Sequence, residues 1–210
     1  MAGSNWERFA PLTGVAFVVI VVIGFAIGGS TPGAHASAFK AEDFYTKHHD
    51  KQMAAAFIVA LAAAFLPFFA STLRRALDWS GGTGRLATAS FGGGIIASGG
   101  FFLLSTIHIA LADAAGKTTP QVTQTLNVLD NNDFIPMSGG LGVFLIASGL
   151  AIVRYRALPA WLGWSGLILG IAIFTPAGFF AFLLSGLWIV VTSLVLYAST
   201  PGSPAEPAPA

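Results

Sequence analysis

Residues 15–27 read Val15-Ala16-Phe17-Val18-Val19-Ile20-Val21-Val22-Ile23-Gly24-Phe25-Ala26-Ile27, a run without one polar side chain. Extended to 11–28, the segment has the length of about 27 Å of helix at ~1.5 Å per residue. That approaches the ~30 Å hydrocarbon core of a bilayer. In lipid each unpaired backbone amide costs several kcal/mol, so a run of this kind must be a helix. A strand of a membrane barrel would alternate in polarity, and this run does not.

Five more runs follow the same pattern, at about 53–73 (with Pro67 inside), 86–111, 134–153, 161–175 and 179–197. Composition agrees with them. Only 9% of the 210 residues are charged and 55% are hydrophobic, where a soluble domain carries roughly 25% charged residues. So few charges do not make a water-facing surface for a fold of this size. The last two runs are separated only by Pro176, Ala177 and Gly178. One continuous helix there would be near 60 Å, about twice the core thickness, so a tight turn and a helical hairpin are expected.

The expected fold is therefore all-α: a polytopic membrane bundle of six transmembrane helices over residues 1–198. A disordered Pro/Ala-rich tail, 199–210, follows. Basic residues set the orientation. Arg8, Arg74, Arg75, Arg85, Arg154 and Arg156 fall on one side; Lys40, Lys47, Lys51 and Lys117 fall on the other, among most of the acids. The arginine side is read as cytoplasmic, with both termini inside. A cleaved signal peptide is the competing reading, with 15–27 as its apolar region and Ala34-His35-Ala36 as a cleavage site. Glu7 offsetting Arg8, and the distance of that site from the run, argue against it.

Several function classes fall away. Net charge is +1, which offers no basic surface for nucleic acid. Cysteine is absent, which excludes disulfides, thiolate metal sites and cysteine nucleophiles. Gly81-Gly82-Thr83-Gly84 lacks the lysine and the strand context of a phosphate-binding loop. The other glycines read as packing. Ala89, Gly93 and Ala97 recur at four-residue spacing in the third span, and Gly24 and Gly28 do so in the first; small residues let helix backbones approach in lipid. Trp79, Trp161, Trp164 and Trp188 lie in or beside spans, where tryptophan serves as an interfacial anchor.

The candidate site lies on the side opposite the arginines. His108 is the only histidine inside a predicted span, and intramembrane ionisable groups are functional candidates. It stands 22 residues beyond Leu86, about 33 Å along a helix, and so near the outer interface, with Asp113 about a turn beyond. His48 and His49 lead into the second span, and Asp130 and Asp133 into the fourth. These six residues are the candidates for a ligand site. Histidine with carboxylate also suits zinc or another divalent metal, but no H-x-x-x-H or H-E-x-x-H spacing is present. Between the third and fourth spans, Pro120 followed by Val122, Leu126 and Leu129 predicts a short amphipathic helix on the outer surface, a lid or an interfacial connector.

The stretches 127–134 (NVLDNNDF), 154–165 (RYRALPAWLGWS) and 175–182 (TPAGFFAF) resemble a group of small bacterial six-helix membrane proteins of unknown function. That resemblance implies the topology and carries over no catalytic residue. The leading functional expectation is a non-enzymatic membrane protein that binds a small apolar ligand, or a membrane partner protein, within its helices. A metal-dependent membrane enzyme using the outer His/Asp/Glu groups is the first alternative. A small-molecule transporter is the second, weakened by the lack of midplane Asp, Glu, Lys or Arg. Beyond the lipid bilayer, the sequence names no partner, cofactor or oligomeric state.

Overall fold

The computed structural model describes residues 5–78 and 84–199, and among these residues all regular structure is helical. The α-helices are α1 (Asn5–Phe9), α2 (Thr13–Gly28), α3 (Ala38–Lys47), α4 (His49–Ala63), α5 (Leu66–Asp78), α6 (Gly84–Ala114), α7 (Pro120–Asp130), α8 (Ile135–Tyr155), α9 (Ala160–Ala172) and α10 (Gly178–Ser199), with a 3-10 turn at Ala10–Leu12. Trp79, residues 81–83 and the tail beyond Ser199 lie outside the described residues.

Five helical stretches are long and apolar enough to cross a membrane: Glu7–Gly28, His49–Asp78, Gly84–Ala114, Pro120–Tyr155 and Gly178–Ser199. The fifth expected span is the exception. As α9 it has 13 residues, about 20 Å of helix, well short of a ~30 Å core. Around the bundle Phe57, Leu61, Ile96, Ile168, Phe180 and Leu187 are exposed, a surface suited to lipid as solvent.

The second span is two helices. Proline has no N–H, so Pro67 cannot bond the carbonyl of Ala63 four residues back. Helix α4 ends at that residue and α5 starts at Leu66. The freed oxygen is buried in an apolar setting, where it costs free energy unless served. Ser98 of α6 serves it, donating its hydroxyl at 2.8 Å. We expect Ser98→Ala to lower unfolding stability by about 1–3 kcal/mol, the cost of stranding a buried acceptor. Adding Pro67→Ala, which restores an N–H for the Ala63 carbonyl, should recover part of the loss. If Ser98→Ala melts in detergent at the wild-type temperature, the carbonyl does not depend on Ser98.

Helices α6 and α8 run antiparallel at close range. A Cβ on Gly93 would overlap the backbone of Phe144 and lie 2.9 Å from the Gly140 oxygen; one on Gly100 would overlap Met137, and one on Gly140 the backbone of Ala97. Ala97 is itself fully buried, whereas Ala89, the first residue of the predicted stripe, is exposed. The seam therefore follows Gly93, Ala97 and Gly100. Ser90 and Ser148 close it with a buried hydrogen bond of 2.7 Å. A second seam joins α8 to α9, where Gly163 opposes the Gly149 oxygen and Gly170 the Gly142 oxygen. On α2, Gly24 is pressed against Val59, while Gly28 faces the Ala55 methyl at an ordinary 3.5 Å.

Helices α9 and α10 form the expected hairpin, turning through 173–177. Trp188 fastens it. Its ring is buried and its indole N–H donates to the Leu162 carbonyl at 2.9 Å. This tryptophan is core, not an interfacial anchor; Trp161 and Trp164 are exposed. At one end of the bundle Arg75 reaches Glu7 at 3.0 Å and Phe9 stacks on Tyr197. The starts of α2 and α6 and the ends of α5, α8 and α10 meet there, and with them all six arginines. The opposite end is covered by α3 and α7.

Candidate functional site

Helix α6 runs past the other helices into that covering layer and stops where Gly116 adopts a left-handed conformation, φ 74°. The Gly116 amide donates to the Glu42 carboxylate of α3 at 2.7 Å, and Thr123 of α7 donates its hydroxyl to the same carboxylate. Glu42 thus joins the end of α6 to both covering helices. The connection 29–37 is held to α7 by three side-chain amides. Gln124 donates to the Ala36 carbonyl at 2.5 Å, Asn127 to Gly33 at 3.1 Å and Asn131 to Pro32 at 3.1 Å.

Helix α7 lies with its polar stripe inward. Thr123 and Asn127 are fully buried, and Asp130 continues the same face at the next turn. Val122, Val128 and Leu129 are exposed. Of the expected apolar stripe Val122 and Leu129 face out, whereas Leu126 is half-buried against Tyr45, Leu111 and Ala112; the partner of the polar stripe is the protein itself.

Beneath this cap His108 bridges three helices. Its Nδ1 faces both oxygens of Asp130, at 2.9 and 3.1 Å, and its Nε2 lies 2.9 Å from Oε1 of Gln52 on α4. The Gln52 amide nitrogen donates to the Gly28 carbonyl at the end of α2, at 2.9 Å. These contacts fix the protons. The Gly28 carbonyl can only accept, so Gln52 presents its oxygen to the ring, and Nε2 must carry a hydrogen. A second proton must sit between Nδ1 and the Asp130 carboxylate, because two bare acceptors would repel. The cluster therefore holds a shared proton on the His108–Asp130 pair. Both side chains are well shielded, at 13% and 9% exposure.

Tyr45 of α3 packs its ring edge-on to His108, with centroids 5.8 Å apart. Burial first, and then the Asp130 charge, push its phenol above the usual tyrosine range. It stays protonated and donates to Asn127 Oδ1 at 3.4 Å. Asp133, in the turn between α7 and α8, completes the group. It is 7% exposed; burial first, and then the Asp130 charge, push its carboxyl up to about 6, while His108 pulls it the other way. Its Oδ2 is buried with no hydrogen-bond partner among the described residues.

The structure thus brings His108, Asp130 and Asp133 together, and places His48, His49 and Asp113 elsewhere. The exposed His48 bonds the Phe44 carbonyl of its own helix at 2.9 Å. His49 pairs with Asp50 at 2.9 Å and stands 4.0 Å from Asp113, which itself binds Lys117. His48, Asp50 and Asp113 are exposed, whereas His49 is half-buried and its Nε2 is buried with no hydrogen-bond partner among the described residues. Among the described residues no three His, Asp or Glu side chains come together so as to hold a metal ion.

No protein-family model, curated protein or solved structure matches the chain. Function is therefore argued from the site alone.

Sequence reasoning passed over Gln52, Tyr45 and Asn127. Gln52 had a signal: it is the last polar residue before the apolar run of α4. Asn127 stands four residues after Thr123 and three before Asp130, one polar face of a helix. Tyr45 had none, since a tyrosine in a polar segment looks the same whether buried or solvated.

Proposed function

We propose that this is a six-crossing membrane protein with a binding role, not a catalytic one. The cap end faces outward, and the arginine end and both termini lie in the cytoplasm. Helix α9 makes the sixth crossing as the short arm of its hairpin with α10, with the exposed Trp161 and Trp164 at the headgroup level. The outer cluster recognises the polar head of a small, otherwise apolar ligand whose body lies among the helices.

One observation carries this reading: the buried, unpartnered Oδ2 of Asp133 beside the His108–Asp130 pair. Buried carboxylate oxygens are normally hydrogen-bonded. With the pair already sharing its proton, Asp133 is the acceptor that remains, and it calls for a donor. A protonated amine supplies both the hydrogen and the opposite charge. His108 and Gln52 have their polar atoms engaged with Asp130 and the Gly28 carbonyl, and act by holding Asp130 in place.

The test is native mass spectrometry of the purified protein with a long-chain primary amine and with the matching alcohol. The amine should bind about tenfold more tightly or better, since a charge-assisted hydrogen bond is roughly twice as strong as a neutral one. Asp133→Asn, with helicity intact, should abolish that preference. Equal binding of amine and alcohol to wild type, or an unchanged preference in Asp133→Asn, would overturn the proposal.

A further inference from the structure

A groove of about 680 Å³ opens at the arginine end, between the start of α6 and the end of α8. Gly84, Arg85 and Leu86 line one wall, and Leu150, Val153, Arg154 and Tyr155 the other. The glycine seam brings these ends together, because antiparallel packing of α6 on α8 sets residue 86 opposite residues 150–154. Glu7 pairs with Arg75 and Asp78 with Arg74 at the same end. Arg85, Arg154 and Arg156 have no carboxylate partner among the described residues. Arg154 lies over the Tyr155 ring, 5.6 Å from its centroid, which holds the guanidinium at the groove mouth.

We propose that this groove binds the phosphate headgroup of an anionic glycerophospholipid in the leaflet on the arginine side. Two guanidinium groups facing one space match a phosphodiester, which accepts paired N–H donors from each. The apolar residues between them account for the rest of the lipid. Leu86, Leu150 and Val153 line the same groove, and Leu150 is exposed. A free, fully hydrated phosphate would have no use for that apolar lining, whereas a glycerol backbone and the first acyl carbons would cover it. Basic pockets between membrane helices on the cytoplasmic side suit anionic headgroups for this reason.

The full chain would be reconstituted in bilayer discs made from equal amounts of phosphatidylglycerol and phosphatidylcholine, released, and its bound lipids counted by native mass spectrometry. Wild type should keep phosphatidylglycerol over phosphatidylcholine by about tenfold or more, on the scale of two arginines each favouring an anionic lipid surface. The double variant Arg85→Gln/Arg154→Gln should lose that preference. Both side chains are exposed, so the variant is expected to fold, which its thermal unfolding would verify. Arg156→Gln, a change outside the groove lining, should leave the preference intact. Equal retention of the two lipids by wild type, or a preference that survives the double variant, would overturn the proposal. So would full displacement by millimolar inorganic phosphate, which would mark the groove as a site for the free anion.

Discussion

Gly140→Leu is expected to melt far below Gly139→Leu in detergent, although the two substitutions are adjacent and chemically identical. A Cβ at Gly140 would run into the backbone of Ala97, and backbone cannot rotate aside. A Cβ at Gly139 meets nothing within 4 Å. Overpacking a well-packed interface typically costs about 1–3 kcal/mol, occasionally more. Gly140 belongs at the top of that range, because the helices must separate along the whole seam, which takes the Ser90–Ser148 hydrogen bond with it. Gly93→Leu against Gly92→Leu repeats the comparison from the α6 side, since Gly92 also has open space where a Cβ would go. Should both members of each pair melt together, the close approach of α6 and α8 would be wrong.

Asp130→Ala is expected to be the most damaging single change at the cap. It removes the carboxylate that shares a proton with His108 and leaves the ring facing a shielded space. Stranding one partner of a shielded hydrogen bond typically costs about 1–3 kcal/mol, more where a charge is left behind. His108→Ala should cost less than Asp130→Ala, provided Asp130 reaches solvent once the ring is gone. The double variant should lose clearly less than the sum of the single losses, because nothing is then stranded. Strictly additive losses would show that the two side chains do not depend on each other.

What the sequence reveals and what it hides divide along a physical line. Crossing lipid demands long apolar helices, and runs such as 15–27 declare themselves through composition alone. Close backbone packing demands glycine, so the α6–α8 seam is visible as small residues at near-helical spacing, but the partner and the register are not. The four-residue spacing takes in Ala89, which is exposed, and misses Gly100, which lies at the contact. The site is harder to see because its chemistry is assembled across distance. His108 and Asp130 stand out as ionisable groups near an interface. Gln52 decides which ring nitrogen carries a hydrogen, and it does so only because the Gly28 carbonyl orients its amide. No local pattern encodes a relation among residues on α2, α4 and α6. For the same reason the sequence does not separate His48 and His49 from His108, although neither reaches Asp130 and His48 is exposed.

The cap has a consequence for how the chain is made. The hydrogen bonds that hold the 29–37 connection and α3 to the end of α6 and to α7 join residues 74 to 99 positions apart. During synthesis residues 32–45 are made long before Gly116, Thr123 or Asn131 exists. The early segment must wait, its amide acceptors and the Glu42 carboxylate served by water, until the third span has been threaded and α7 has emerged. Closure of the cap thus requires segments 32–45 and 116–131 to stand at the same end of the bundle, and a chain ended before residue 116 would leave the carbonyls of Pro32, Gly33 and Ala36 and the Glu42 carboxylate without these partners.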